Sequence, residues 1–199
     1  DRAQTAVILK SPTAHYYWII SWKKSANTFY VATVLMTGNS DRGSVTQKAT
    51  SIAVVAGITD RFNAYYSTST SQYGIICKRA GTDRWVSYLI TGLSGQNPTF
   101  SAAVNTDIGN IYANNSAGNW SSVKFNEDGT KMATVYQSAV GTSASPVTSA
   151  IVEVYDFNPT TGVPSNFNSF TIPIKDEGPV APGLGHKGRQ KAYDLEWDF

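Results

Sequence analysis

Short β-rich runs bounded by turn residues recur along this chain in a fixed order, four to roughly every 50 residues, and this constrains the fold more than any other feature. The first unit reads Thr5–Lys10, Tyr16–Trp22, Thr28–Met36 and a more polar run around Ser44–Ala53. The second reads Arg61–Tyr66, Gln72–Cys77, Arg84–Ile90 and Pro98–Val104. The third reads Trp120–Phe125, Lys131–Tyr136, Ala150–Phe157 and a run near Phe167–Ile174. In the first two units the third run places aromatic residues first, then β-branched ones, and closes on Thr37-Gly38 or Thr91-Gly92. Ala192–Phe199 reads as the opening strand of a fourth unit.

Helical periodicity is scarce, and a lone four-stranded antiparallel sheet cannot cover both of its own faces. Neighbouring units must therefore stack on one another, and radial stacking gives a β-propeller. The expected fold is all-β: a partial β-propeller of about three four-stranded antiparallel blades, near residues 3–55, 60–110 and 118–175, plus the first strand of a fourth at 190–199. Asp1–Thr5 lacks an initiator Met and a signal peptide, and the chain stops at Trp197-Asp198-Phe199 within that last run, so it reads as a piece of something longer.

Composition narrows the function. Hydrophobic residues at 41% of 199 suffice for a core, while charged residues are only 15%, and the formal net charge of +2 is spread along the sequence. That distribution argues against a nucleic-acid or anionic-membrane footprint. The densest basic stretch, His186–Lys191, reads as a solvated loop. Cys77 is the single cysteine, so the chain can build neither an intramolecular disulfide nor a thiolate zinc site, and its apolar neighbours suggest a buried thiol. No apolar run reaches the 18 residues or so of a membrane-spanning helix.

Two segments resemble known propellers. Val123–Met132, with Asn126-Glu127-Asp128-Gly129 at its turn, resembles the F-S-P-D-G turn of WD40-like and YncE-like propellers. Val152–Asn166 is similar to the Y-D-F-D-x-x-T-G-x-V-S-N-P strand and turn of propellers in large secreted proteins of the Bacteroidetes, described as gliding-motility-associated. Tyr17–Ala32 resembles their D-Y-W-V-V-T-H segment, with Trp22 where their His stands, and Tyr193–Phe199 is similar to their Y-G-V-E-F-S strand. The resemblance implies export through the type IX secretion system and an extracellular or cell-surface location.

No residue cluster announces a chemistry. His15 and His186 fall in loops without a second His or a carboxylate at ligand spacing, and no G-x-S-x-G elbow accompanies them. Asp128 before Gly129 serves a turn, and Asp176 with Glu177 is a further acidic pair. Asp194, Glu196 and Asp198 share one face of a strand without a fourth ligand. Asn105–Tyr112 is a degraded echo of the sialidase Asp-box, which is itself a structural turn, and Asn114 and Asn119 stand in N-x-S contexts.

What remains is aromatic. Tyr16, Trp18, Trp22 and Tyr30 crowd one hairpin and are the candidate binding residues, with alternate positions expected to pack between blades. Catalytic, cofactor-binding and metal-ligating residues are expected to be none. The expected function is a non-enzymatic secreted or surface scaffold that binds protein or glycan, a component or cargo of a secretion or gliding machine. Its partner would be the rest of a parent chain or another protein that completes the ring, with no nucleic acid and no direct membrane insertion. The alternative is a lactonase- or glycosidase-type enzyme with its site in the central channel.

Overall fold

The computed structural model describes residues 6–11, 15–37, 43–54, 57–91, 98–111, 122–137 and 149–173. Tyr112, Asn114, Asn119, the pair Asp176 and Glu177, the basic run at 186–191 and the strand expected at 190–199 lie outside them. Among the described residues the chain is all-β, with one 3₁₀ turn at Lys24–Ala26 and no α-helix.

Three antiparallel meanders follow one another. The first sheet orders β1 (Ala6–Lys10), β2 (Tyr16–Lys23), β3 (Thr28–Leu35) and β4 (Ser44–Val54) side by side. The second orders β5 (Ile58–Ser67), β6 (Gln72–Arg79), β7 (Arg84–Thr91) and β8 (Thr99–Phe100), with β9 (Val104–Asp107) also on β7. The third orders β10 (Val123–Phe125), β11 (Lys131–Gln137), β12 (Ser149–Asn158) and β13 (Val163–Pro173). Each meander matches one unit of the repeat.

The fourth strand of the second unit departs from its expected span. Phe100 pairs with Ile90 and Val104 with Ser87, so one extra residue is inserted between them and the outer strand is broken into β8 and β9. Ser101 holds the break: its N–H donates to Leu89 O at 2.9 Å and its Oγ accepts from Leu89 N at 3.0 Å. The hydroxyl takes the place of a ladder carbonyl.

The second sheet is the centre of the molecule. Residues alternate between the two faces of a strand, yet Gly74–Lys78 and Trp85–Tyr88 are buried without interruption, which requires a partner on each side. Ile75, Cys77, Val86, Tyr88 and Ile90 join Trp18, Ile20, Trp22, Phe29 and Val31 of the first sheet in one core cluster. The interleaved Ile76 and Trp85, with Tyr65, join Val123, Met132, Tyr155 and Phe157 of the third in another. First strands meet first strands, β1 with β5 and β5 with β10, and last meet last, β4 with β8 and β9 with β13.

Aromatic rings carry the first junction. Phe29 is fully buried, with ring centroids 5.2 Å from Trp22, 5.5 Å from Phe62 and 6.2 Å from Phe100. Phe29→Ala is therefore expected to cost about 3–5 kcal/mol in urea unfolding, whereas Ile8→Ala, on the opposite and open face, should cost less than about 1 kcal/mol. Equal costs would mean that the faces are assigned the wrong way round.

Candidate functional site

Among the described residues the His and Cys side chains stand apart from one another. Among the described residues no three His, Cys, Asp or Glu side chains lie close enough to hold a metal ion. His15 is exposed at the β1–β2 turn, with a left-handed φ of 77°. Cys77 is fully buried, donates to Val86 O at 3.4 Å, and burial pushes its thiol far above the usual range.

Two buried polar ties join the second and third sheets instead. Lys78, with no exposed surface, donates through Nζ to Asp83 O at 3.0 Å and Ile108 O at 3.2 Å, and lies 5.0 Å from the Trp85 ring centroid. The turn it grips, Ile108-Gly109-Asn110, reaches the third sheet, where Asn110 N donates to Glu153 Oε1 at 2.9 Å. Gly109 has a φ of +100° and faces the Tyr155 hydroxyl so closely that a Cβ would collide with it. This is the segment that echoed an Asp-box, and here it serves as an inter-sheet clasp. Asp107 within it forms a bidentate pair with Arg84, at 2.6 and 2.8 Å.

The second tie lies at the far end of the same junction. Ser87 Oγ donates to Gly162 O at 2.7 Å, and a Cβ on Gly162 would stand 2.5 Å from Tyr65 Oη. Ser69 and Thr160 share a hydrogen bond at 2.7 Å, and Asn63 Nδ2 donates to Val123 O at 2.7 Å. Asn126 and Asp128 are spent on their own turn: Asn126 Oδ1 accepts from Lys131 N at 2.7 Å and Asp128 Oδ1 from Thr130 N at 2.9 Å.

The aromatic candidates divide. Trp18 is fully buried and Trp22 is 8% exposed, both within the core between the first and second sheets, so a ligand reaches neither without parting those sheets. Tyr16 and Tyr30 are half-buried. Tyr30 pairs with Ser21, which puts it on the other face, away from the core.

That other face is the candidate site. The register places Ile8, Ile19 and Ala32 in one row across it, flanked by Tyr17 and Val34 on one side and Ser21 and Tyr30 on the other, with Val45 beside Val34. Ile8 is 68% and Val45 63% exposed, and the remainder of that set is half-buried. Lys10, paired with Tyr17, and Lys23, paired with Thr28, lie exposed at its two ends. The described residues of the first sheet contain no Asp or Glu. Alternation in Ala6–Lys10 and Tyr16–Lys23 already separates the two faces, but which of them is covered is a tertiary matter.

Two outcomes follow from these environments. Cys77 should resist an aromatic disulfide reagent in the native protein and react only as fast as the chain opens, so labelling in urea should exceed native labelling by orders of magnitude. Rapid native labelling would show that the two sheets part readily. The carboxyls of Asp107, hydrogen-bonded by Arg84, and Asp156, hydrogen-bonded by Lys131 and Asn166, are held below their ordinary value of 3.8. A lowered native value stabilises the fold above the ordinary value, and that contribution is lost as pH falls through the lowered one. The stability deficit of Asp107→Asn should accordingly be largest near neutral pH and close below about pH 4 in paired urea titrations.

No family model matches the chain, and no curated protein and no solved structure matches it.

Proposed function

We propose that this chain is a non-enzymatic binding or scaffold module of the β-propeller kind, secreted or displayed at the cell surface, with blades formed by its three meanders. The observation that carries the proposal is the second sheet, clothed on both sides by other four-stranded sheets and, among the described residues, by no α-helix. Contacts that keep first strand on first strand and last on last are those of blades stacked in sequence. On this reading the open face of the first sheet is completed by a further sheet, from a longer parent chain or from another protein. Its resemblance to secreted, gliding-motility-associated propellers supplies the proposed location and setting, as a component or cargo of a type IX secretion or gliding machine. No helix among the described residues is long and apolar enough to cross a membrane.

A structural role for the buried Lys78 supports this reading, because its ammonium is engaged by two backbone carbonyls inside a junction. Spin-label distances test the radial arrangement. Labels at positions 10 and 124, on the first strands of the outer two sheets, should lie closer together than labels at 51 and 165, on the last strands. Equal separations would mean a flat stack and sink the propeller reading. Purified protein should show no turnover of lactones or aryl glycosides above a buffer control, and sustained turnover would replace the scaffold reading with an enzymatic one.

A further inference from the structure

We infer that the open face of the first sheet docks another protein's β-sheet, apolar at its centre and carrying carboxylates at its rim; this rests on the stacked-blade reading. Four strands about 4.8 Å apart and roughly eight residues long present on the order of 500 Å². That falls short of the ~800 Å² per partner of a standard stable interface, so apolar contact alone is marginal and the charged ends matter. Those ends are of one sign: Lys10 and Lys23 bracket the row of Ile8 and Ile19, Lys48 is exposed on β4, and the described residues of this sheet hold no acid. Complementary carboxylates on the partner would set register and speed encounter.

A second copy of this chain fits less well. The same face from another molecule would bring lysines against lysines. On the outer face of the third sheet the half-buried acid Asp156 is already bonded to Lys131 and Asn166, and Val135, Ala150 and Val152 there are buried. An anionic lipid surface would accept the lysines, but a face on which only Ile8 and Val45 stand well exposed offers it little apolar side chain to insert.

The test treats the purified protein with a water-soluble carbodiimide, which joins amines directly to carboxylates, in the surface and secreted fraction of its source cells. Joined residues are mapped by mass spectrometry. The expected result is linkage from Lys10 or Lys23 to Asp or Glu residues on strands of one other polypeptide, reduced at least ~10-fold by Ile8→Asp or by about 0.5 M salt. Ile8 is 68% exposed, and native urea unfolding of the variant would confirm its fold. A second variant, Val45→Asp, should behave alike. Links between two copies of this chain, no links at all, or sedimentation of the protein with vesicles of phosphatidylcholine and phosphatidylglycerol would overturn the inference. Links confined to Lys124 and Lys131 would overturn it too while leaving a binding module, and the spin-label distances judge the stacked-blade reading separately.

Discussion

The second sheet depends on being covered twice. In Ile75-Ile76-Cys77 and Trp85-Val86 successive side chains leave on opposite faces and each finds an apolar partner, the first sheet on one side and the third on the other. A strand buried on one face alone would place half of these residues in water, at a cost of roughly 1.5–3 kcal/mol for each large side chain. Burial of this middle layer therefore holds the three meanders together. It also explains why the first sheet, an end layer, alternates buried and open residues where the second does not.

Polar groups at the second junction refine that packing. Lys78 replaces the water it would otherwise bind with two carbonyl oxygens and the face of Trp85, and in doing so fixes the turn that reaches Glu153. The lack of a side chain at Gly109 and Gly162 lets tyrosine hydroxyls from the facing layer approach the backbone. The first junction is built differently, from a dense set of aromatic rings around Phe29. The two interfaces of one sheet thus use different means, rings on one side and polar clasps with rings on the other.

The edges follow a separate logic. β4 is long and lies at the margin of the first sheet, and its pairing with β3 slips at three places. Irregular register and an exposed Lys48 both discourage another chain from adding on at that edge. The face of the same sheet carries no such protection, since Ile8 and Val45 stand open between lysines. A guarded edge beside an unguarded face leaves side chains, and not backbone groups, as the surface most open to contact.

The order and approximate limits of most strands were legible in the sequence because each is a local matter: β-branched and aromatic runs, stopped by turns such as Asn126–Gly129, whose side chains bond their own backbone. The break between β8 and β9 was not, since it depends on Ser101 finding Leu89 across the sheet. The candidate site was legible only in part. Density of aromatics drew attention to the β2–β3 hairpin, but Trp18 and Trp22 turn inward while Tyr30 turns outward, and alternation alone assigns two faces without saying which meets a neighbour. Lys78 gave no local signal at all, because its partners lie five and thirty residues further on. Sequence by itself determined where the chain extends and turns, through short-range sterics and hydrogen bonds. Tertiary structure alone decided which faces are buried, because that depends on what other parts of the chain can be brought against them.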